Sequence, residues 1–453
     1  MDAPWLRWIL AGGAVAAYGL LCLVVGLRSR ARRGAMQSCT QAVDGTTPLL
    51  VAHASQTGTA EELAAQTVRA LATAGVPATL QSFAQLEPSL LSSLSQALFI
   101  VSTYGEGDAP DVAAHFVASM DASLDLSRLH YGLLALGDRR YRSFCGFGRE
   151  LDTWLQSHGA RPLAPRIEVD GGDEASLQRW RHNLSHIAGT ADLPDWQGAP
   201  FDSWTLRARR HLNPGSLGGA VYHIELASPH PACGWEAGDL LQLEVPADPG
   251  RPREYSIASL PTDGVVQLLV RLERHADGSH GLASGWLTQA APEGAPVRAR
   301  LRAHSHFRIG HNRGRDLILI GNGTGLAGLR SHLRQRAAQR DGATTRRHWL
   351  IFGERQAAHD VYYADELRQW QSDGLLTRLD LVYSRDGHTE RYVQDRLRAE
   401  SDRVRSWLDA GAAIYVCGSL QGMAAEVDAV LQQTLGAGLA ELQRQGRYRR
   451  DVY

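Results

Sequence analysis

One polar segment near the start of the folded sequence could bind a phosphate group. It reads SQTGTA and comprises Ser55, Gln56, Thr57, Gly58, Thr59 and Ala60. It stands between an apolar run and an amphipathic pattern, where hydroxyls and backbone N–H groups at a helix N-terminus suit an anion. A small polar turn that only caps a helix explains this segment equally well when it is taken alone.

Two further loops each carry a tyrosine shortly after an apolar run. A flat heterocycle could be held between Tyr104 of the first loop and Tyr141 of the second. Either tyrosine alone is more typical of plain packing, but all three loops together indicate one ligand site. The candidate residues in the two tyrosine loops are Ser102, Thr103, Tyr104, Gly105, Gly107, Gly137, Asp138 and Tyr141.

The elements that must position these loops follow an α/β pattern. Between residues 48 and 187 the runs LLVAHAS, ALFIVSTYG, LLALG and RIEVD alternate with amphipathic helical patterns. This alternation predicts a parallel sheet covered on both faces, in a flavodoxin-like doubly wound arrangement. Because ligands of such sheets bind beyond the carboxyl ends of the strands, the three loops are expected at one edge.

The remainder of the chain predicts two more folded parts. Residues 188–200 are rich in Gly, Pro and small polar residues and indicate a linker between the domain at 47–187 and the rest of the chain. Residues 201–312 alternate apolar and polar positions between Pro/Gly turns, which predicts an antiparallel barrel. The βαβ rhythm then resumes over 313–453 and predicts a second open α/β sheet.

The segments SQTGTAEE, STYGEGDAPD and GDRRYRSFCGFGRELD resemble the FMN-binding domain of the diflavin reductases. This family includes NADPH–cytochrome P450 reductase and the flavoprotein subunit of bacterial NADPH–sulfite reductase. The resemblance implies that the first loop holds the FMN phosphate and that Tyr104 and Tyr141 flank the flavin, with Phe144 as a further FMN-binding residue. It covers residues 48–453 and implies a ferredoxin–NADP reductase-like module after the linker, with an FAD-binding barrel and an NADP-binding domain.

Two segments of the predicted barrel resemble the family's FAD site. Arg253, Tyr255 and Ser256 match its R-x-Y-S motif, and GLAS at 281–284 resembles its second pyrophosphate contact. A guanidinium fork suits a pyrophosphate, and an aromatic beside a hydroxyl can pack on a flavin. An ordinary barrel strand with one arginine is the alternative. The resemblance implies FAD contacts from Arg253, Tyr255, Ser256, Gly281, Ala283 and Ser284.

The predicted NADP-binding domain carries a glycine-rich loop, GNGTG, directly after a strand. That context suits a nucleotide phosphate. Relatives usually have proline where this chain has Asn322 and Gly328, so a more flexible loop is expected. The resemblance places the 2′-phosphate of NADPH in the segment YSRDGHTERYVQ, where Glu390 would repel it and Arg391 could compensate. The candidate residues are Gly321, Gly323, Thr324, Gly325, Ser384, Arg385, Arg391, Tyr392 and Gln394.

The resemblance also identifies residues beside the nicotinamide. Cys417 stands in a Y-V-C-G motif, and Asp451 and Tyr453 lie in a terminus that resembles R-Y-x-x-D-V-aromatic. It implies that the final tyrosine covers the flavin and moves when nicotinamide binds. Ser256, Cys417, Asp451 and Tyr453 are therefore the predicted catalytic residues. Ser419 replaces an acid that relatives often carry, and a lone buried cysteine is ordinarily just a small apolar residue.

Composition and the first residues bound the class of protein. A net charge of −1 gives no reason to bind nucleic acid, and five scattered cysteines without a C-x-x-C pair predict neither a disulfide framework nor a metal site. After a short segment at 1–7, residues 8–27 carry no charge and predict a transmembrane helix, with a cleaved signal peptide as the alternative. A basic tether at 28–46 follows, and the positive-inside rule predicts cytoplasmic catalytic domains.

Together these features predict a membrane-anchored reductase that moves electrons from NADPH through FAD and FMN to a one-electron protein acceptor, which we expect to contain haem. Two alternatives are the electron-donating flavoprotein of a sulfite reductase and a flavin-binding interaction or sensor module without turnover. Glu106, Asp108 and Asp111 could steer a basic partner or form a solvated acidic loop. The chain is too short between residues 201 and 312 to hold the family's helical connecting insert, so the family's interdomain geometry does not transfer.

Overall fold

The computed structural model describes residues 48–120, 124–189, 200–230, 233–340, 346–387 and 389–453. Its first part is a parallel sheet of order β2-β1-β3-β4-β5, with β6 paired to β4. The strands are β1 (Leu49–Ala54), β2 (Ala78–Ser82), β3 (Gln96–Ser102), β4 (His130–Gly137), β5 (Arg161–Pro162) and β6 (Ile167–Asp170). The helices are α1 (Thr59–Thr73), α2 (Pro88–Leu91), α3 (Ala114–Ala118), α4 (Gly146–Ser157) and α5 (Glu174–Ala188).

Strand β1 shows why the apolar runs of this part are nearly continuous. Leu50 and Ala52 belong to the hydrophobic cluster on one face of the sheet. Leu49 and Val51 belong to the cluster on the other face. Successive side chains of a strand point to opposite faces, so a strand covered on both sides must be apolar throughout. The flavodoxin-like doubly wound arrangement is therefore confirmed.

The second part is an antiparallel six-stranded sheet of order β10-β9-β12-β7-β8-β11. On β7, Trp204 and Leu206 are buried between exposed neighbours, which is the period-two pattern of a strand with one covered face. A short helix, α6 (Leu282–Gly285), precedes the last strand. The strands are β7 (Asp202–His211), β8 (Val221–Ala227), β9 (Leu240–Val245), β10 (Asp248–Ser256), β11 (Val266–Arg271) and β12 (Pro296–Arg302).

The third part is a parallel sheet of order β15-β14-β13-β16-β17. The chain passes from β13 to one side and returns to β16 on the other, so a crevice opens at the carboxyl ends of these two strands. The strands are β13 (Leu317–Asn322), β14 (His348–Glu354), β15 (Leu376–Tyr383), β16 (Ala413–Gly418) and β17 (Tyr448–Val452). The helices are α7 (Leu326–Ala338), α8 (Ala364–Ser372), α9 (Val393–Ala399), α10 (Ser401–Asp409), α11 (Ala425–Leu435) and α12 (Gly438–Arg444).

The predicted membrane anchor is corrected. Residues 8–27 and the tether at 28–46 lie outside the described residues. In the part of the chain that is described, no helix combines the length and the apolar character needed to cross a bilayer. The fold class supported here is a flavodoxin-like domain followed by a ferredoxin–NADP reductase-like module. No helix of the described residues supports the predicted transmembrane segment, the bilayer as a partner or the membrane location.

Candidate functional site

The segment 55–60 forms a tight loop between β1 and α1. The Ser55 hydroxyl accepts hydrogen bonds from the backbone N–H groups of Gly58 at 2.8 Å and Ala60 at 3.2 Å. Gly58 has φ +90°, a conformation that suits glycine. The hydroxyls of Thr57 and Thr59 lie 3.4 Å apart. Hydroxyls and N–H groups thus converge at the N-terminus of a 15-residue helix, as a phosphate site requires.

The two tyrosine loops follow the neighbouring strands β3 and β4 and touch each other. Tyr104 and Asp108 exchange backbone hydrogen bonds at 2.8 Å, which closes the first loop into a turn. A Cβ at Gly107 would lie 2.6 Å from the Ser143 Cβ, so glycine permits the contact with the second loop. The loops therefore share one sheet edge. Ser102, Thr103, Gly105, Gly137, Asp138, Tyr141 and Phe144 all lie on β3, β4 or these two loops.

Buried polar atoms at this edge are consistent with a missing polar ligand. The hydroxyls of Thr103 and Tyr104 are buried, and neither has a hydrogen-bond partner among the described residues. An unsatisfied buried hydroxyl is unfavourable, so each such group calls for a partner. The residues at this edge fit a flavin with a phosphate tail.

The motif at 253–256 lies at the end of β10. Arg253 donates to the Asp248 carboxylate at 3.2 Å, and both side chains are partly exposed. Tyr255 packs against the barrel core. On helix α6, the Ser284 hydroxyl accepts from the backbone N–H of Glu273 at 3.1 Å, and Gly281 and Ala283 flank it.

Three predicted catalytic side chains meet in a buried cluster. The Ser256 hydroxyl donates to Asp451 Oδ2 at 2.6 Å, and the Cys417 thiol donates to the same oxygen at 3.6 Å. Cys417 and Asp451 are directly paired across β16 and β17, while Ser256 comes from the barrel. The cluster therefore joins the barrel to the third sheet at its crevice.

The protonation state of Cys417 follows from its surroundings. Burial first, and then the Asp451 carboxylate, raise the pKa of this thiol well above its usual value. Cys417 therefore remains a thiol near neutral pH and acts as a donor rather than a nucleophile. Gly328 makes the site possible, since a Cβ there would lie only 3.2 Å from the Cys417 sulfur. Gly328, where relatives usually have proline, thus lies at a point of close packing around Cys417.

A cavity of about 600 Å³ lies over the crevice. Its lining includes seven of the residues predicted from the sequence: Gly323, Thr324, Ser384, Arg391, Tyr392, Gln394 and Tyr453. Arg385 does not line this cavity, and Gly321 and Gly325 instead allow close packing against Cys417. A Cβ at Gly325 would lie 2.0 Å from the Cys417 carbonyl oxygen.

Tyr453 closes one side of the cavity. Its backbone is held on both sides, since its N–H donates to the Gly418 carbonyl at 3.0 Å and its carbonyl accepts from Leu420 at 2.9 Å. Its hydroxyl donates to Thr324 at 3.1 Å, yet the residue remains 53% exposed. The main chain of the terminus is therefore hydrogen-bonded on both sides, while the tyrosine ring stays partly exposed at the cavity.

Three charged residues of the cavity lining were not predicted. Arg271 lies on β11 and pairs with Glu354 at 2.5 Å, and its guanidinium would sit 2.9 Å from a Cβ at Gly323. Arg355 adds a third charged side chain to the lining. Arg271 comes from the barrel and could reach a pyrophosphate on the glycine loop. A strand that ends in arginine was the only sequence signal for it.

The two doubtful positions of the nucleotide segment are explained by local hydrogen bonds. Glu390 pairs with Arg396 at 3.0 Å, which offsets its negative charge, and Arg391 lines the cavity. The Asn322 side chain accepts from the Ser419 N–H at 3.0 Å. This bond ties the glycine loop to the loop after β16, which argues against the extra flexibility expected from the missing proline. Asn322 and Ser419, two positions at which this chain departs from the family pattern, are thus hydrogen-bonded to each other.

Comparisons with known proteins agree with this arrangement. Residues 51–181 match the flavodoxin family model, and residues 319–429 match the oxidoreductase NAD-binding domain. The chain is 26% identical to the sulfite reductase [NADPH] flavoprotein alpha-component of Vibrio cholerae serotype O1, over 89% of this chain and 87% of that protein. The proteins of the same name from Neisseria meningitidis serogroup B and Bacillus subtilis are 26% and 24% identical, each over 89% of both chains.

These findings establish the general function. A flavodoxin domain implies FMN, and the NAD-binding oxidoreductase domain with its barrel implies FAD and NADPH. The matched relatives are NADPH-dependent flavoproteins by name. The sensor module without turnover is therefore set aside. The chain is a member of the diflavin reductase family, an NADPH-dependent oxidoreductase with FMN and FAD as its cofactors.

Proposed function

We propose that this diflavin reductase is the electron-donating flavoprotein of a sulfite-reducing enzyme. The observation that carries the proposal is the match to the sulfite reductase flavoproteins, which extends over 89% of this chain and 87–89% of each of the three relatives. The partner would be a protein that accepts electrons one at a time. This replaces the haem-protein acceptor at a membrane that the sequence favoured.

On the FMN side, the proposed ligands are the loop 55–60 and the two tyrosine loops. The N–H groups at the start of α1 that the Ser55 hydroxyl does not engage would bind the phosphate, because the helix dipole favours an anion. Tyr104 and Tyr141 would lie against the flavin faces, with Thr103 and Tyr104 offering their unsatisfied hydroxyls. Bound FMN and FAD supply the redox chemistry, which no side chain of the protein can supply.

On the FAD side, the proposed pyrophosphate ligands are Arg253 and the start of α6. Arg253 would exchange part of its contact with Asp248 for the pyrophosphate, since a guanidinium fork binds phosphates in a bidentate manner. Tyr255 and Ser256 would contact the flavin ring. The Ser256 hydroxyl is oriented by Asp451, which leaves the hydroxyl oxygen free to accept a hydrogen bond.

On the nucleotide side, the chain would bind NADPH across the cavity. Arg271 and the glycine loop would hold the pyrophosphate, and Ser384, Arg391 and Tyr392 the 2′-phosphate. The Tyr453 ring would turn aside to admit the nicotinamide. Cys417 and Asp451 would then position the ring without any covalent step, because the thiol is protonated and hydrogen-bonded.

A first experiment measures NADPH oxidation with two acceptors in parallel. Cytochrome c tests whether electrons leave the chain, and the sulfite-reducing component from a relative's organism tests the proposed partner. We expect cytochrome c reduction, and NADPH-dependent sulfide formation that saturates with added component.

Arg391→Met should raise the KM for NADPH at least tenfold without changing the KM for NADH, since a lost charged phosphate contact costs roughly 1.5–3 kcal/mol. Arg398→Met, an exposed change on α9, is the control.

A haem protein that does not reduce sulfite is the second candidate acceptor. One observation favours it: the alignment with the Vibrio relative spans 539 positions, more than the 453 residues of this chain, so that relative carries segments that are missing here. Rapid cytochrome c reduction without sulfide formation would support this candidate and reject the sulfite-reducing partner. Sulfide formation at rates that match NADPH oxidation would reject the second candidate.

A further inference from the structure

A buried ion pair joins the flavodoxin-like domain to the last strand of the chain. Arg450 on β17 donates to the Asp111 carboxylate through Nε at 2.9 Å and also through Nη2, which makes the contact bidentate. The two side chains are 13% and 4% exposed. They are 339 residues apart in the sequence. Asp111 is therefore buried against the reductase module and is not free to steer a partner.

The charge balance around this pair is uneven. Arg450 also pairs with Asp428 on α11, which accepts a hydrogen bond from Tyr448. One guanidinium thus serves the buried Asp111 carboxylate and the partly exposed Asp428 carboxylate. Burial raises the pKa of Asp111, but Arg450 outweighs this effect and the pKa is lowered overall. Without Arg450, two acidic groups would face each other across the domain boundary.

Neighbouring contacts extend the same interface. The Gln56 side chain donates to the Arg450 carbonyl at 3.2 Å and accepts from the Asp111 N–H at 3.1 Å. His304 bonds the Gln56 carbonyl at 2.7 Å, and Arg302 donates to the Thr57 carbonyl at 3.0 Å. The proposed phosphate loop of FMN is therefore attached to the segment after β12.

The proposed FMN-flanking tyrosine also lies in this interface. Tyr104 and Leu420 both pack against the hydrophobic cluster of the third sheet, and the Arg450 guanidinium lies 5.6 Å from the Tyr104 ring centre. Leu420 donates its N–H to the carbonyl of Tyr453, the proposed cover of FAD, and its side chain would lie 3.6 Å from a Cβ at Gly105. The loop that carries Tyr104 and the terminal residue Tyr453 thus both approach Leu420.

We infer that Arg450 is a positioning residue, which holds the FMN-binding domain against the reductase module through Asp111 and so governs electron transfer between the flavins. The inference rests on the proposed passage of electrons between FAD and FMN, but not on the identity of the final acceptor. Asp451 points to Ser256 and Cys417 while Arg450 points to Asp111, because successive residues of a strand face opposite ways.

The test compares Asp111→Asn, Arg450→Met and the double variant in the full chain. Small-angle scattering measures how extended each protein is, and anaerobic stopped flow with NADPH measures FAD and FMN bleaching separately at saturating FMN. We expect Arg450→Met to be the most extended, with the ratio of closed to open molecules reduced roughly a hundredfold, because it leaves the buried Asp111 carboxylate without its cationic partner. Its FMN bleaching should slow at least tenfold, while FAD bleaching stays within twofold.

The double variant separates this role from simple damage to β17. Because Asp111→Asn removes one of the opposing charges, the double variant should be more closed than Arg450→Met alone, a rescue that a merely misfolded strand would not show. Arg447→Met is the matched control, since among the described residues the side chain of that arginine bonds Leu408, Ala412 and Gln445, all within the same module. If Arg450→Met is insoluble, Asp111→Asn alone decides. Wild-type scattering and FMN bleaching in the soluble variants, or a double variant as open as Arg450→Met, would overturn the inference.

Discussion

The cluster beside the nicotinamide and the loops around the proposed FMN site are stabilised in different ways. Ser256, Asp451 and Cys417 are buried and hydrogen-bonded to one another within the reductase module. The loop 55–60, in contrast, takes part of its support from Arg302 and His304, which belong to the other module. We therefore expect the first site to be organised whatever the domain arrangement, and FMN binding to be coupled to domain closure.

The largest expected effect comes from breaking the cluster. Asp451→Asn keeps the shape of the side chain but removes the charge that accepts from Ser256 and Cys417. We expect the rate of FAD bleaching by NADPH to fall about a hundredfold, since a small loss of alignment at a reacting centre costs that much. Stopped-flow absorbance measures the rate. FMN affinity should not change, and a tenfold loss of FMN affinity would contradict the independence of the two sites.

The cluster could be predicted because its motifs are local. Cys417 and Asp451 each lie near the end of a recognisable strand, and the parallel pairing of those two strands brings the residues together. The glycine loops followed from the same logic, since they lie directly between a strand and a helix. Local pattern and the family resemblance together located seven of the residues that line the cavity over the crevice.

The contacts that join the modules could not be predicted in this way. Asp111 belongs to a loop whose acids suggested an exposed surface, and nothing near it in sequence indicates Arg450. Arg271 and Glu354 likewise meet only because the barrel packs on the third sheet. Ion pairs between distant segments depend on how whole domains pack, which periodicity and turn residues do not encode.

A second prediction concerns the stability of the reductase module at acidic pH. His332 on α7 is fully buried against Phe307 and Tyr415, and burial lowers its pKa to about 3. Its folded pKa lies below the ordinary 6.5, so the stabilisation is complete above pH 6.5 and is lost as the pH falls towards 3. At pH 5 the loss is about 2 kcal/mol.

His332→Phe should remove this share of the acid sensitivity because the ring keeps its size but cannot take up a proton, while His348, whose pKa burial also lowers to about 3, keeps its own share. Calorimetry at pH 7.5 and pH 5 should show a smaller fall in Tm for the variant than for the wild type, confined to the transition of the reductase module. His158→Phe, at a half-buried site beside Trp154 in the flavodoxin-like domain, is the control. Equal falls in Tm for His332→Phe and the wild type would refute the assignment.

The smallest effect is expected at the loop shared by FMN and the interface. Gly58 has φ +90°, and a Cβ there would lie 2.9 Å from the Ala303 carbonyl oxygen of the other module. Gly58→Ala should therefore weaken FMN binding about tenfold, through backbone strain of roughly 1–2 kcal/mol and the contact with Ala303. The Kd is measured by quenching of FMN fluorescence.

Gly75→Ala separates strain from contact. Gly75 has φ +79° in the same domain, but a Cβ there would meet nothing within 4 Å. Both variants suffer the strain of a left-handed backbone, and only Gly58→Ala also pushes against the reductase module. If FMN binding is coupled to domain closure, Gly58→Ala must be more extended in solution than Gly75→Ala as well as weaker in FMN binding. If Gly58→Ala binds FMN more weakly without being more extended, the loop and the interface act independently. FMN binding would then depend on domain closure no more than the cluster of Ser256, Cys417 and Asp451 does.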